Sequence, residues 1–190
     1  MIVQSTDINR VGSELTFADT GLLGAFIVES KCHFDERGTF ARIWDQSVIE
    51  QRGSDFRIEQ CCVSFNDRKG TLRGMHYQSE AHQETKIVRC IRGALYEVII
   101  DLRPHSPTFK QHFGLELTSD NRRMLYIPAG IAHGFLTLAD HTEVLYLISK
   151  RYGTESAGGV RLNDPAFAVQ WPDEIRVISA GDQRFPDFTA

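Results

Sequence analysis

The segment from Gly70 to Gln78, which reads GTLRGMHYQ, carries a lone histidine on a predicted strand, with Lys86 ten residues beyond that histidine. Side chains alternate along a strand, so His76 shares a face with Gly74 and Gln78 rather than with its apolar neighbours. Such a face fills a core poorly, because buried polar groups without partners cost a few kcal/mol each. We therefore interpret it as the wall of a polar cavity, and His76 as a base that removes a proton from carbon.

A second candidate for this chemistry is Tyr146, in the segment EVLYLIS. Strand alternation places Val144, Tyr146 and Ile148 on one face. We expect that face to point into a barrel, where the Tyr146 hydroxyl needs a polar partner. Because His76 and Tyr146 belong to different predicted strands, their side chains can oppose each other.

A metal centre is the first alternative to an acid–base site. The segment YIPAGIAHGF resembles the second half of the cupin metal motif, in which an inward histidine, here His133, follows a proline-glycine turn. The first half normally supplies two histidines one residue apart, whereas this chain has His76 and then Gln78. An amide is a weak ligand for a transition metal, and the usual open three-ligand set is not evident even with His82 and Glu84 nearby. The sequence therefore predicts no metal ligand set, and a metal-dependent cupin is kept as an alternative.

Length, composition and charge limit the class of protein. The chain has 190 residues, enough for one hydrophobic core and short for two ordinary domains, so we expect a single domain over residues 1–190. A net charge of −4 and a pI near 6.0 argue against a polyanion-coating protein, and we expect no nucleic-acid partner. The N-terminal segment lacks a signal-peptide pattern and no apolar run is long enough to span a bilayer, so we expect no membrane partner.

The four cysteines are Cys32, Cys61, Cys62 and Cys90. Their spacing fits neither a disulfide framework nor a zinc site, and two of them are adjacent. We therefore expect reduced thiols and a cytoplasmic protein.

Most of the chain is predicted to form short strands. Runs of β-branched, aliphatic and aromatic residues recur between turn residues; they are RIEQCCVSF, KIVRCI, ALYEVIIDL, HFGLELT, RRMLYIPAG, AHGFLTL and EVLYLIS. One helix is predicted in WDQSVIEQRG, with Asp45 or Ser47 as its start and Gly53 as its stop. Many short strands at this spacing predict an all-β jelly roll with one or a few short helices.

Together these motifs resemble the dTDP-4-dehydrorhamnose 3,5-epimerase family, which makes nucleotide-linked deoxysugars. The resemblance covers about three-quarters of the chain in the family's order, and it is specific because several independent motifs recur together. The motifs are HFDERGTF, GTLRGMHYQ, TKIVRCIRGALYEVIIDLRPHSPTF, LYIPAGIAHGF, EVLYLISKRY, LNDPAFAVQWP and ISAGDQRFP. The resemblance implies a cupin-type barrel that epimerises a nucleotide-diphosphate 4-keto-6-deoxyhexose at C3, C5 or both, without a cofactor.

The resemblance also implies roles for individual residues. His76 matches the family's general base, and Asp182 matches the carboxylate that holds the catalytic imidazole. Lys86 matches the lysine near the keto oxygen, and Tyr146 matches the proton donor. Substrate-contacting positions are matched by Arg37, Gln60, Arg73, His133 and Tyr152. Among these, Tyr152 matches the aromatic residue that stacks on the nucleotide base, and the arginines and the histidine suit the diphosphate and the sugar hydroxyls.

Elementary chemistry supports these roles. Epimerisation beside a ketone takes a proton from one face of the carbon and returns one to the other face, so it needs two groups on opposite walls. Imidazole has an ordinary pKa of about 6.5, and a carboxylate on its second nitrogen, here Asp182, fixes the tautomer and strengthens the base. Lys86 would stabilise the enolate oxygen, and removing such a donor costs about 2.7–4 kcal/mol. Tyr146 can donate because the ordinary pKa of tyrosine is about 10, and the ketone itself is the electron sink.

Each of these residues also has a structural explanation. Taken singly, His76 could be a hydrogen-bonded core histidine and Lys86 a solvated strand residue. Tyr146 could be a packing residue with a satisfied hydroxyl, and Asp182 could cap a turn. The arginines could be surface charges, and Gly74 could mark a bulge. Their joint occurrence in one ordered pattern favours catalysis.

Some positions depart from the family's pattern and lie among those that contact substrate. They are Arg42, Cys62, the strand Tyr96–Val98, Ala157 and Gly181. The reaction class is therefore better founded than the substrate, and the nucleotide base stays open. A C3-only epimerase, a ketoisomerase or a non-catalytic sugar-nucleotide-binding barrel would use much the same residues.

We expect a homodimer, because the resemblance implies pairing through an edge sheet and an N-terminal arm. The segment GAFIVES at residues 24–30 is the candidate for a strand added to a partner. Such pairing would cover an otherwise exposed sheet edge.

Overall fold

The computed structural model describes residues 14–79 and 82–189, and this part of the chain is mostly β-sheet. Its strands are β1 Leu15–Asp19, β2 Phe26–Ser30, β3 Cys32–Asp35, β4 Gly38–Ala41, β5 Gln60–Asn66, β6 Thr71–Gln78, β7 Lys86–Arg92, β8 Ala94–Asp101, β9 His112–Thr118, β10 Met124–Ile127, β11 Ile131–Thr137, β12 Thr142–Ile148, β13 Ala157–Gly159 and β14 Val177–Ile178. One α-helix, α1, spans Gln46–Gln51, and short 3-10 turns span Thr154–Ser156 and Asp182–Arg184.

Two sheets enclose the interior of the molecule. The first sheet has the strand order β1-β2-β10-β7-β12-β5, and the second has the order β13-β6-β11-β8-β9. Neighbours within each of these orders are antiparallel, β14 runs parallel to the start of β6, and β3 and β4 form a separate hairpin. The predicted all-β jelly-roll architecture with a short helix is confirmed.

Strand β8 shows how alternation divides residues between two cores. Leu95 and Ile99 face the space between the sheets, where they pack with Val88 of the first sheet. Val98 and Ile100 face outward and pack beneath the C-terminal part of the chain, in a cluster that includes Val160, Phe167 and Val169. Burying a side chain of this size contributes about 1.5–3 kcal/mol, so both faces of the strand stabilise the fold.

Helix α1 forms where the sequence predicts it. The Asp45 side chain caps its start by accepting a hydrogen bond from the Ser47 backbone N–H at 3.1 Å, and Gly53 follows its end with a φ of +77°. Ile49 of the helix is buried against the outer face of the first sheet. Among the described residues, no helix is long and apolar enough to cross a membrane.

The expectation for residues 24–30 is wrong in one respect. Residues 26–30 form β2, and this strand pairs with β1 on one side and with β10 on the other. Both of its edges therefore receive hydrogen bonds from its own chain, and it offers no free edge to a partner. The first sheet instead ends at β1 and β5.

Candidate active site

A cavity of about 590 Å³ lies between the two sheets. Seven of the residues predicted for the site line it, namely Gln60, Arg73, His76, Lys86, His133, Tyr146 and Tyr152. Asp182 lies behind His76, and Arg37 lies elsewhere. The cavity wall also contains Cys62, which the sequence analysis places among the substrate-contacting positions, and residues that it did not assign to the site, among them Ser64, Glu84 and Phe185.

His76 is held from behind by Asp182. Its Nε2 atom lies 2.9 Å from Asp182 Oδ1, and the other carboxylate oxygen accepts a hydrogen bond from the Gly74 N–H at 3.1 Å. The Phe185 ring packs edge-on against the imidazole, with the two ring centroids 5.8 Å apart. Since Nε2 is engaged, and no hydrogen bond to Nδ1 is found within the described ranges, Nδ1 is the atom available to a ligand.

Tyr146 belongs to the opposite wall, because β12 is in the first sheet whereas β6 is in the second. Its hydroxyl lies 3.3 Å from Ser64 Oγ. Burial raises the pKa of Tyr146 well above its ordinary value, and the nearby Glu97 carboxylate raises it further. The phenol is therefore protonated at neutral pH and can donate a proton. The inward orientation that alternation predicted for Tyr146 is confirmed.

Lys86 connects the two walls. Its Nζ atom lies 3.0 Å from Nε2 of His133, on β11, and 2.9 Å from Oε1 of Glu84. His133 Nδ1 in turn lies 2.8 Å from Oε1 of Glu97, whose side chain is fully buried. An ammonium group only donates hydrogen bonds, so Nε2 of His133 must accept and its Nδ1–H must donate to Glu97.

Burial sets the charge states of the inner pair. It lowers the pKa of His133 well below the ordinary value, and electrostatic interactions with Lys86 and His76 lower it further. Burial also raises the pKa of Glu97 well above its ordinary value, while Lys86 opposes that shift. His133 is therefore neutral. The sequence interpretation assigned no role to Glu97, although an inward glutamate between Leu95 and Ile99 was the available signal.

Arg73 reaches the cavity because β6 is irregular. His133 pairs with His76, but Phe135 pairs with Arg73, so two residues of β6, Gly74 and Met75, lie opposite one residue of β11. The extra residue turns Arg73 to the side of His76, whereas plain alternation would put them on opposite faces. A Cβ atom on Gly74 would lie 2.6 Å from the Gly134 Cα, so this close approach requires glycine. Arg73 Nε donates to Asn66 Oδ1 at 2.7 Å.

Gln60 and Tyr152 lie together on the cavity wall. The Tyr152 N–H donates to Gln60 Oε1 at 2.9 Å, while the residue as a whole is 60% exposed. An aromatic ring fixed through its backbone and open to solvent suits stacking on a planar ligand.

Arg37 does not line the cavity of its own chain. It lies in the β3–β4 hairpin, where it pairs with Asp35, and its side chain is 85% exposed. Its predicted contact with substrate is therefore not made by this cavity within one chain. Phe34 and Phe40 of the same hairpin are also largely exposed.

Metal ligation is poorly served by this donor set. Across the described ranges, no group of three His, Cys, Asp or Glu side chains is arranged to hold a metal ion. His133 uses both ring nitrogens for protein partners, and His76 uses one. Gln78, at the remaining position of the cupin motif, presents an amide.

The comparisons with known proteins all identify the same family. A family model described as dTDP-4-dehydrorhamnose 3,5-epimerase matches residues 19–190. A protein of that name from Methanothermobacter thermautotrophicus is 39% identical over 91% of this chain and 94% of its own length. The Bacillus anthracis dTDP-4-dehydrorhamnose 3,5-epimerase, solved with TDP and PPi bound, has a TM-score of 0.89 and 37% identity over 92% of this chain and 99% of that chain.

Two further solved structures carry sugar nucleotides. A dTDP-6-deoxy-D-glucose-3,5-epimerase from Legionella pneumophila, in complex with dTDP-4-keto-L-rhamnose, has a TM-score of 0.84 and 31% identity over 93% of this chain and all of that chain. A 3'-monoepimerase from Streptomyces bikiniensis, in complex with dTDP-quinovose, has a TM-score of 0.81 and 31% identity over 88% of this chain and 85% of that chain. The predicted family resemblance and the cupin-like fold are confirmed.

Proposed function

Since the chain belongs to the dTDP-4-dehydrorhamnose 3,5-epimerase family, we propose that its cavity inverts carbons beside the ketone of a nucleotide-diphosphate 4-keto-6-deoxyhexose. The observation that carries this proposal is the placement of an imidazole–carboxylate pair and a protonated phenol on opposite sheets of one cavity. Two groups on opposite walls are what proton removal from one face and return to the other require.

In the proposed reaction, His76 Nδ1 takes the proton from the carbon beside the ketone, and the electrons of the C–H bond move to the keto oxygen. Lys86 donates a hydrogen bond to the resulting enolate oxygen, where the negative charge develops. Tyr146 then gives its proton to the opposite face of the carbon as the electrons return from oxygen to form the new C–H bond. The imidazolium and phenolate that remain are reset by one proton transfer through solvent. The ketone is the electron sink, so no cofactor is needed.

We propose that the nucleotide lies at the Tyr152 end of the cavity and that Arg73 meets the diphosphate. Arg73 keeps N–H groups beyond those given to Asn66 and Phe65, and a guanidinium matches phosphate oxygens in geometry and charge. The relatives solved with TDP and PPi, and with dTDP-linked sugars, support a dTDP-linked substrate.

We also propose that the protein is a homodimer, and the support is a set of exposed apolar side chains on its outer surface. Phe34 and Phe40 leave the β3–β4 hairpin apolar on both faces, and Val63 and Phe65 of the edge strand β5 are exposed as well. A second copy would cover these side chains and would bring Arg37 towards a substrate held by the partner. Arg37 would then act on the neighbouring cavity rather than on its own.

Mixing two inactive variants tests this arrangement. If Arg37 serves the partner's cavity, heterodimers of Arg37→Ala and His76→Ala contain one intact site, and equal mixing restores about a quarter of the wild-type activity. The homodimers of each variant are the controls. If Arg37 serves its own chain, mixing restores no activity. If the wild-type protein sediments as a monomer in analytical ultracentrifugation, the homodimer proposal fails.

We also propose that residues 1–190 form one domain that works in the cytoplasm. Both sheets contribute to a shared interior core. All four cysteines are unpaired, and two of them are exposed, as in proteins of reducing compartments.

The deciding experiment is incubation with a 4-keto-6-deoxyhexose linked to dTDP in deuterated water, followed by proton NMR at C3 and C5. We expect deuterium to replace hydrogen at the inverted carbons. A sugar-nucleotide-binding barrel without activity would bind the compound and exchange neither hydrogen. Exchange and inversion at C3 alone would make the chain a monoepimerase, which the Streptomyces bikiniensis neighbour favours as the second candidate. Loss of exchange on treatment with EDTA would revive the metal-dependent alternative.

A further inference from the structure

Glu84 is a buried carboxylate on the cavity wall to which the proposed reaction gives no task. It precedes β7 by two residues, and its side chain is 5% exposed. Its Oε1 atom lies 2.9 Å from the Lys86 ammonium nitrogen. Burial makes this pair different from the surface ion pairs of the molecule, because water and salt screen it far less.

The hydrogen-bond donors of Lys86 can be counted. An ammonium group has three N–H bonds and accepts none. His133 Nε2 accepts one of them at 3.0 Å, and Glu84 Oε1 forms an ion pair with the ammonium at 2.9 Å. Lys86 Nζ has no other hydrogen-bond or ion-pair partner among residues 14–79 and 82–189, and Lys86 lines the cavity. Two fixed partners therefore leave an N–H for a ligand oxygen.

The two acceptors also have different charges. His133 is a neutral ring held in place by Glu97, and it fixes direction without contributing a negative charge. Glu84 supplies a carboxylate on the other side of the ammonium. A lysine side chain has many rotamers, so an ammonium at the end of four carbons needs such anchors to stay in one position. During the reaction His76 also becomes positive, and Glu84 offsets the repulsion between that charge and Lys86.

We propose that Glu84 is a positioning residue that, together with His133, holds the Lys86 ammonium so that its third N–H meets the keto oxygen of the substrate. This inference rests on the proposed epimerisation. Glu84 touches no reacting atom, and its whole effect passes through Lys86. A preorganised donor is effective because it needs no reorientation as the charge develops.

The test compares Glu84→Gln, Lys86→Met and the double variant. Glu84→Gln keeps the shape of the side chain and removes its charge, and we expect the exchange rate to fall about a hundredfold while KM stays within about twofold. In the Lys86→Met background the same change should have no further effect, since the group it positions is gone. Glu155→Gln is the matched control, because that glutamate pairs with His82 on the surface.

A spectroscopic measurement reports on the donor itself. In the His76→Ala background the bound substrate does not react, so the infrared band of its ketone can be recorded. A hydrogen bond from Lys86 lowers that carbonyl frequency, and adding Glu84→Gln should return it towards the value of the free compound. Adding Glu155→Gln should leave it unchanged.

The outcomes separate this inference from the proposed function. If the wild-type protein exchanges no hydrogen, the epimerase proposal fails. If it exchanges and Glu84→Gln exchanges at the wild-type rate, or if the losses from Glu84→Gln and Lys86→Met simply multiply, the positioning role fails. If thermal melting shows that Glu84→Gln is not folded, Glu84→Asp is used instead. That variant keeps the charge one carbon further away, and we expect an intermediate rate, whereas a wild-type rate would overturn the inference.

Discussion

Two histidine–carboxylate pairs lie side by side in the second sheet, since His76 and His133 are direct partners across β6 and β11. Each imidazole has a carboxylate oxygen within 3 Å, at 2.9 Å for Asp182 and 2.8 Å for Glu97. Their surroundings differ. The His76 side chain is 41% exposed and its carboxylate 11%, whereas the corresponding values for His133 and Glu97 are 7% and 0%.

This difference separates a proton carrier from a fixed hydrogen-bonding group. His76 has one nitrogen free towards the cavity, so it can gain and lose a proton during a reaction. His133 has both nitrogens engaged, and burial keeps its pKa below the ordinary value, so it stays neutral. The same two residue types thus serve different purposes, because burial and the number of hydrogen-bond partners decide which protonation states are accessible.

Substituting each histidine in turn should separate their roles most clearly. His76→Asn removes the base, and we expect kcat to fall by about 10²–10⁴-fold, with hydrogen exchange lost at both carbons. His133→Asn should slow exchange without abolishing it, because Lys86 loses an anchor rather than its charge. Both variants are assayed by NMR in deuterated water. If His133→Asn abolishes exchange while His76→Asn retains it, the roles are reversed.

Asp182→Asn tests how the carboxylate of Asp182 contributes to the function of His76. The Gly74 N–H donates to the Asp182 side chain and needs an oxygen there, so the new amide should turn its NH₂ group towards His76 Nε2. That donation forces the ring proton onto Nδ1, the atom proposed to take the proton from carbon. We expect kcat to fall nearly as far as for His76→Asn, by about 10²–10⁴-fold. The same change to Asp173, a partly exposed carboxylate outside the cavity that is paired with Lys69, is the control.

Tyr146→Phe tests the aromatic neighbour of His133, since the centroids of the phenol ring and that imidazole lie 6.3 Å apart. The variant keeps the base and loses the donor. We expect exchange to continue at the carbon from which His76 takes the proton, while net inversion falls by about 10²-fold or more. The two rates come from the same NMR experiment. Equal loss of exchange and inversion would show that the tyrosine does more than return the proton.

A smaller effect, on stability rather than on rate, is expected at the buried side chain of Glu97. The folded-state pKa of Glu97 is raised above 4.5, so between 4.5 and that higher value the folded chain holds a proton that the unfolded chain has lost. The free energy of unfolding therefore falls as pH rises through this window. Glu97→Gln keeps the acceptor for His133 and removes this loss, so its Tm at pH 7 should exceed that of the wild type.

We expect that gain to be about 2–4 °C or more, the shift that 1 kcal/mol produces in a chain of this size, and to vanish below pH 4.5. Thermal melting at a series of pH values measures it. Glu174→Gln, which changes an exposed side chain, should show no such trend. A Tm lower than wild type at pH 7 would mean that the Glu97 charge is stabilised by Lys86 more than it is opposed by burial.

Much of the fold and part of the site could be predicted from local patterns. Alternation correctly turned Tyr146 inward, and capping residues located α1, because both signals act within a few residues. Alternation also put His76 and Gln78 on the cavity face. The pattern of motifs identified the family, since residues with a shared task recur in a shared order.

Other features depended on contacts between distant segments. Arg73 faces the cavity only because β6 and β11 are out of register between His76 and Arg73, where Gly74 meets Gly134. Residues 26–30, which were expected to pair with a partner, form an inner strand, because β10, which is distant in sequence, pairs with β2. A period-two pattern predicts which residues share a face, but it does not predict which strand lies beside which.

The order of residues alone supplies a histidine, a lysine, a tyrosine and an aspartate in the pattern of a known family, and alternation gives the strands that carry His76 and Tyr146 their inward faces. How those groups differ from their neighbours depends on the folded arrangement, which gives Lys86 the partners Glu84 and His133, buries Glu97, and leaves one nitrogen of His76 free. The reason is physical, since burial and hydrogen-bond partners arise where strands from separate parts of the chain meet.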